Sequence, residues 1–170
     1  NNGSEPGKGN AQTMEAFQLM AQEKHINFKG NVEGREILSG DYDVVVVGGG
    51  TAGAAAGLGA ARRGARVLVL EYQEALGGVG TLGLIGNPYA GLRIGFAAEV
   101  PFPGRKGVME DKMEWYRREL RKAGADVWFG VLGAGAYTEG NRVRGAVLVT
   151  GRERGVALAR VVIDATGNAD

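Results

Sequence analysis

Apolar positions define three consecutive elements between residues 43 and 70. After its first residue, the run Asp43–Val47, "DVVVV", is continuously apolar and β-branched, which is typical of a strand buried on both faces of a parallel sheet. The Ala-rich stretch "TAGAAAGLGAARRGA" that follows Gly50 predicts a helix, with Gly64 as its C-terminal cap. The run Arg66–Leu70, "RVLVL", predicts a second buried strand, so the three elements form one βαβ unit.

The second half of the chain predicts one amphipathic helix and three strands. In "EDKMEWYRRELRKAG" the apolar residues repeat at helical spacing, Glu114 and Arg118 stand four positions apart as a potential ion pair, and Gly124 ends the helix. The apolar face of this helix consists of Met109, Met113, Tyr116, Leu120 and Ala123. The segments "ADVWFGVL", "RVRGAVLVT" and "GVALARVVIDATG" predict strands, with "TEGN" and "TGRERG" as the turns between them.

The first 40 residues have a weaker pattern and are interpreted as an N-terminal extension. Residues 1–12 are polar and rich in Gly and Asn, which favours a flexible tail. Residues 13–24 predict a short helix with Thr13 as its N-cap, and residues 25–40 contain strand-like pieces interrupted by glycine. No signal peptide is visible, which favours a cytoplasmic location.

Composition excludes several classes of function. The formal charge is +1, so charge gives no reason to expect nucleic acid or an anionic membrane as a partner, and no apolar run is long enough to span a bilayer. The chain lacks cysteine and has one histidine, His25, so a metal site is not expected. Glycine accounts for 31 of the 170 residues, well above the usual ~7%, which indicates backbone geometries that exclude side chains.

Gly48, Gly50 and Gly53 form a G-x-G-x-x-G motif between the first strand and the helix. In this motif the first glycine permits a tight turn, the second lets the backbone approach a pyrophosphate, and the third lets the helix pack closely on the strand. The amide groups that open the helix, at Thr51 and Ala52, then face the phosphates together with the positive end of the helix dipole.

Glu71 completes the pattern of a dinucleotide-binding unit. It ends the second strand 18 residues after Gly53, close to the ~20 residues that separate the last glycine from a ribose-binding acid. A carboxylate at this position accepts hydrogen bonds from the two ribose hydroxyls and repels a 2′-phosphate, which disfavours NADP. The βαβ unit alone does not distinguish FAD from NAD.

Two later motifs give the sequence its resemblance to a family. "GGVGT" (Gly77–Thr81) follows the second strand, and "DATGNAD" (Asp164–Asp170) follows the last one. With these motifs the sequence resembles the bacterial FAD-dependent oxidoreductases, within the group of flavoproteins that have two dinucleotide-binding domains and the glutathione-reductase fold. The resemblance covers residues 41–170 and implies an FAD-binding domain, with FAD as the cofactor and a small molecule as the substrate.

The resemblance also implies positions for the cofactor. The loop from Gly78 to Thr81 is expected to approach the pyrophosphate or the ribityl chain. The strand around Val131–Gly133 is expected to offer backbone groups to the adenine, at Leu132 or Gly133. Ala165, Thr166 and Gly167 are expected to lie against the ADP portion. In the intervening segment, Tyr89 and Arg93 are candidate catalytic residues near the flavin ring, Tyr89 as a proton donor and Arg93 as a stabiliser of negative charge.

The expected fold is α/β: a Rossmann-like parallel sheet with a βαβ start, helices on its faces and an inserted antiparallel β-meander. The expected function is hydride transfer from an organic substrate to FAD. Since a family member needs a flavin-closing strand and a substrate domain that this sequence lacks, a second polypeptide or a further C-terminal part is expected to complete the site. An NAD-binding dehydrogenase domain and a non-catalytic cofactor-binding subunit are the alternatives.

Overall fold

A computed structural model describes residues 28–32, 35–85, 91–101, 108–151 and 154–167. The predicted flexible tail, the helix at residues 13–24, His25 and Tyr89 lie outside these residues. The strands are β1 (Phe28–Val32), β2 (Arg35–Val47), β3 (Val67–Glu71), β4 (Asp126–Phe129), β5 (Leu132–Glu139), β6 (Arg142–Val149) and β7 (Arg154–Asp164). The helices are α1 (Thr51–Ala61), α2 (Phe96–Glu99) and α3 (Val108–Lys122), with a 3-10 turn at Gly78–Gly80.

The seven strands of the described residues form one sheet in the order β4-β3-β2-β7-β6-β5, and β1 pairs with β2 off this path. The pairs β4–β3, β3–β2 and β2–β7 are parallel, whereas β7–β6, β6–β5 and β1–β2 are antiparallel. This topology confirms the expected Rossmann-like α/β fold with a βαβ start and a β-meander.

Each face of the parallel sheet is covered by a different layer. On one face α1 and α3 pack on the sheet, and Ala54, Leu58 and Leu120 are fully buried between them. On the other face β-meander residues pack against the parallel strands, so that Leu148 lies in the same buried cluster as Val45. Burial on both faces explains why residues 44–47 of β2 and 67–70 of β3 are continuously apolar rather than alternating.

Helix α3 uses the predicted face but a different ion pair. Tyr116 and Leu120 are buried and the Trp115 ring packs edge-on against Tyr116 with 5.1 Å between centroids, so the predicted apolar face is confirmed at these positions. The predicted Glu114–Arg118 pair is wrong, because Glu114 instead binds Arg117 at 2.8 Å, one position nearer along the helix.

The predicted strand "ADVWFGVL" is two strands. Gly130 has φ +70°, a left-handed conformation that ends β4 after Phe129, and β5 begins at Leu132. This bend lets β4 stay in the parallel sheet while β5 starts the β-meander. No helix within the described residues is long and apolar enough to cross a membrane.

Candidate dinucleotide-binding site

Three parallel strands end at the same edge of the sheet and bring the predicted residues together. Val47, Glu71 and Asp164 are the last residues of β2, β3 and β7, which lie side by side. The G-x-G-x-x-G turn follows the first of these ends and the "ATG" segment follows the third. Ligands of open α/β sheets bind beyond such carboxyl ends.

Gly48 and Gly53 meet the backbone requirements of the turn. Gly48 has φ +92°, its N–H donates to the carbonyl of Leu70 at 2.8 Å, and a Cβ there would stand 2.7 Å from the carbonyl oxygen of Ala165. A Cβ on Gly53 would overlap the carbonyl oxygen of Gly48. Both positions therefore require glycine for the fold itself.

Gly50 differs, because no described atom lies within 4 Å of the place where its Cβ would be. It is the N-cap of α1, no side chain caps the helix, and its first turn contains no acidic residue. Thr51 and Ala52 are exposed, and the first backbone N–H groups of a helix have no partner within the helix itself. The geometry suits an anion held by backbone N–H groups and the helix dipole.

Glu71 is buried at the end of β3, with 8% of its surface exposed. One carboxylate oxygen accepts the N–H of Gly49 at 2.7 Å and the other accepts the N–H of Gln73 at 2.6 Å. A carboxylate offers about four lone-pair sites, so two remain for hydroxyl donors. The two amides fix the carboxylate at the strand end without exhausting its capacity to bind a ribose.

The loop Gly77–Thr81, called the Gly-Gly loop below, lies on the N-terminus of α1. Gly77 donates its N–H to the carbonyl of Gly49 at 2.9 Å, and its own carbonyl accepts the hydroxyl of Thr51 at 3.0 Å. A Cβ on Gly78 would stand 3.0 Å from Cα of Gly50 and 3.3 Å from the nitrogen of Thr51. The loop therefore lies directly against the glycine-rich turn, and its predicted approach to the pyrophosphate or the ribityl chain stays a prediction.

Thr81 lies inside the loop. Its side chain is fully buried, and its hydroxyl lies 2.8 Å from the carbonyl oxygen of Leu76 and 3.1 Å from that of Gly78. This hydroxyl therefore holds the loop in shape from within.

We expect Thr81→Val to destabilise the fold by about 1–2 kcal/mol, because it removes a buried hydroxyl and leaves two backbone carbonyls with fewer partners. Urea unfolding would measure the change. Thr138→Val, at an exposed position of β5, is the control and should change stability by less than about 0.5 kcal/mol. Equal stability of the two variants would contradict this role of Thr81.

The segment after β7 closes the other side of the turn. Ala165 donates its N–H to the carbonyl of Val47 at 2.8 Å, which holds the segment beside Gly48. The amide and the hydroxyl of Thr166 donate to one carboxylate oxygen of Asp164 at 3.0 and 2.8 Å, and these bonds lower the pKa of Asp164. Gly167 is exposed.

Two further predicted residues lie at the periphery. Leu132 begins β5 with an exposed side chain, immediately after Val131, whose N–H donates to the carbonyl of Glu71 at 3.1 Å. Arg93 is exposed and donates to the carbonyls of Ala98 and Val100 at 3.3 and 2.8 Å, so it ties down the segment that contains α2. The catalytic role of Arg93 stays a prediction.

Sequence reasoning missed Gly49, the second glycine of "GGG". Its amide binds Glu71, and a Cβ there would stand 2.6 Å from Cδ2 of Leu76. The motif treats this position as variable, and only the consecutive glycines could have drawn attention to it. Within the described parts of the chain, no group of acidic or histidine side chains could hold a metal ion.

Comparison with protein families divides the chain into two overlapping segments. Residues 43–110 match the FAD dependent oxidoreductase family, and residues 1–66 match the family described as fatty acid synthesis protein. The first match contains the glycine-rich turn, Glu71 and the Gly-Gly loop. It confirms FAD as the predicted cofactor. The second match includes the predicted N-terminal extension and was not foreseen.

Curated relatives match through short segments. The phosphate acyltransferase of Syntrophomonas wolfei is 55% identical over 51 residues, 30% of this chain and 16% of the relative. The phosphate acyltransferase of Streptococcus thermophilus is 57% identical over 54 residues, which are 32% of this chain and 16% of the relative. That of Picosynechococcus is 31% identical over 141 residues, 83% of this chain and 33% of the relative. The chain thus spans a third or less of the length of these relatives.

Solved structures with a similar fold have low sequence identity to this chain. THI4 of Thermovibrio ammonificans superposes with a TM-score of 0.62 at 22% identity, over 98% of this chain and 67% of that one. A geranylgeranyl bacteriochlorophyll reductase-like protein of Thermoplasma acidophilum superposes with a TM-score of 0.55 at 24% identity, over 75% of this chain and 39% of that one. These similarities establish the fold.

Proposed function

We propose that residues 41–170 form the FAD-binding part of a flavin-dependent oxidoreductase of the glutathione-reductase type. When bound, FAD supplies the redox chemistry by accepting a hydride from an organic substrate. The protein's residues would bind and orient the cofactor: the amides of Thr51 and Ala52 would hold the diphosphate, and Glu71 would bind the ribose.

The remaining contacts would come from three segments around this centre. Gly78 would cover the diphosphate from the loop, with Thr81 shaping the loop from within. The backbone at Leu132 would meet the adenine, and the segment from Ala165 to Gly167 would lie against the ADP portion.

The observation that carries the proposal is the open space at Gly50. The neighbouring glycines are each explained by a protein atom that a Cβ would strike, but the described residues give no such reason for Gly50. Its lack of a side chain is explained by a ligand that approaches the uncapped helix N-terminus. The family match over residues 43–110 supports FAD as that ligand.

We further propose that another polypeptide, or a further part of the same protein, completes the flavin site. Leu84, Leu92 and Ile94 are 74%, 80% and 69% exposed. These apolar side chains flank the loop that follows the Gly-Gly motif. The chain covers 39% and 67% of the two similar structures described above.

Two alternatives follow from particular observations. An NAD-binding dehydrogenase domain would use the same turn and Glu71, because a βαβ unit serves either dinucleotide. A non-catalytic cofactor-binding subunit fits the exposed setting of Arg93, whose guanidinium is engaged with backbone carbonyls. The short segments shared with phosphate acyltransferases cover 16% of most of those relatives, so an acyltransferase activity would require residues beyond them.

The test is a titration of the purified protein with FAD and, separately, with NAD. We expect FAD to bind with quenching of flavin fluorescence and a shift of its visible spectrum, and NAD to bind far more weakly. Reduction of the bound flavin by candidate substrates, with every co-purifying chain identified, then separates an enzyme from a cofactor-binding subunit. Preference for NAD over FAD would refute the proposal.

We expect Glu71→Gln to weaken FAD binding about tenfold or more, because the amide offers one acceptor oxygen in place of two and removes the charge that strengthens hydrogen bonds. Fluorescence titration measures the loss. Glu74→Gln, an exposed acid of the same loop, is the control and should bind FAD like the wild type. Unchanged affinity in Glu71→Gln would show that the ribose lies elsewhere.

A further inference from the structure

Lys112 lies on α3 with its ammonium against the turn at Gly78–Gly80. The residue is partly buried, and a Cβ on Gly80 would stand 2.5 Å from its Nζ and 3.7 Å from its Cε. Gly80 therefore leaves the space that the end of this lysine occupies. Neither the sequence motifs nor the site described above accounts for a cation at this place.

Among the described residues, no carboxylate and no hydrogen-bond acceptor pairs with Lys112. Three other cations of the helix have partners: Arg117 binds Glu114 at 2.8 Å, Arg118 binds Glu119 at 3.5 Å and Lys122 binds Glu119 at 3.0 Å. Burial lowers the pKa of Lys112. A partly desolvated ammonium without a counter-ion is unfavourable, and a bound anion would relieve this cost.

The same turn connects this ammonium to the candidate diphosphate site. At its other end, Gly78 lies against Gly50 and Thr51, with 3.3 Å between its would-be Cβ and the nitrogen of Thr51. A 3-10 turn rises about 2 Å per residue, so the two ends of Gly78–Gly80 are only about 4 Å apart along its axis. The ammonium and the candidate diphosphate site therefore flank the same short turn.

We propose that Lys112 is the counter-cation of the diphosphate bound at the N-terminus of α1. This role rests on the proposed FAD-binding function and adds a charged side chain to a site otherwise built from backbone amides. The ammonium would neutralise part of the diphosphate charge from the side of the turn, while the amides of α1 hold the diphosphate from the helix axis.

The experiment compares Lys112→Met with the wild type in titrations with FAD, ADP and adenosine. Lys122→Met is the matched control, because it makes the same change on the same helix at an exposed, ion-paired position. We expect Lys112→Met to bind FAD and ADP about tenfold more weakly while its affinity for adenosine stays unchanged, and Lys122→Met to behave like the wild type. The affinity of the wild type for FAD should also depend more steeply on salt concentration than the affinity of Lys112→Met does.

Gly80→Ala provides a second variant that retains the lysine. Its methyl group would displace the ammonium, so we expect a similar loss of affinity for ADP. The conservative variant Lys112→Arg keeps the positive charge and should retain most of the affinity that Lys112→Met loses. Circular dichroism and urea unfolding establish that each variant is folded before titration.

The possible outcomes separate this proposal from the function on which it rests. Wild-type protein that binds neither FAD nor ADP would overturn both. Wild-type binding with equal affinity in Lys112→Met and Gly80→Ala would overturn only the role of Lys112. A loss confined to FAD, with ADP unaffected, would place the ammonium near the flavin and likewise overturn its assignment to the diphosphate.

Discussion

Gly50→Ala is expected to weaken FAD binding about a hundredfold while leaving the fold intact. The new methyl group would meet no described protein atom within 4 Å, so the folded protein has room for it. It would, however, project into the space from which a diphosphate approaches the amides of Thr51 and Ala52. Displacing charged oxygens from those amides by even a fraction of an ångström costs about 2–3 kcal/mol, a factor of about a hundred in affinity.

Two measurements decide this prediction. Fluorescence titration with FAD gives the affinity, and urea unfolding without cofactor gives the stability of Gly50→Ala and the wild type. Equal stability with a large loss of affinity would locate the ligand at Gly50. If Gly50→Ala binds FAD like the wild type, the diphosphate does not approach this glycine and the proposed site is wrong.

The βαβ unit was predictable because its signals are local. The valine run, the consecutive glycines and the second apolar run each specify one element, and β3 was expected at residues 66–70 and is found at Val67–Glu71. The glycine requirements of Gly48 and Gly53 also follow from the motif, since they arise from contacts within the turn and with the neighbouring strand.

Features that depend on distant partners were not predictable. Strand β2 was expected to begin at Asp43 but begins at Arg35, because its first half pairs with both β1 and β7. The bend at Gly130 could not be read from an apolar run, which continues equally well as one strand. Similarly, helical spacing allows Glu114 to reach either Arg117 or Arg118, and local rules do not choose between them.

The overlap of the two family matches falls on the segment that organises the fold. Residues 43–66, common to both, contain the end of β2, the glycine-rich turn and α1. The antiparallel β1–β2 hairpin lies wholly within residues 1–66, which match the fatty acid synthesis protein family. β3 and the Gly-Gly loop lie within residues 43–110, which match the FAD dependent oxidoreductase family. Because β2 belongs to both regions, the hairpin and the glycine-rich turn share one continuous strand.

Gly53→Ala is expected to destabilise the protein by about 3 kcal/mol, whether or not a cofactor is present. Its Cβ would overlap the carbonyl oxygen of Gly48 and stand 3.0 Å from Cβ of Ala165. Neither Gly48 nor Ala165 can move freely, because each is held by a backbone hydrogen bond. Gly48 donates its N–H to the carbonyl of Leu70, and Ala165 donates its N–H to the carbonyl of Val47. The helix must therefore shift away from the strand, which opens the packing between α1 and the sheet.

Gly59→Ala supplies the control on the same helix. No described atom lies within 4 Å of the Cβ that it introduces, and alanine is the better helix former, so we expect this variant to gain about 0.5–1 kcal/mol. Urea unfolding of the two variants therefore compares the effect on the free energy of unfolding of one methyl group at a crowded position and at an open one. If Gly53→Ala is as stable as Gly59→Ala, α1 does not approach β2 as closely as the structure describes, and the glycine-rich turn has another explanation.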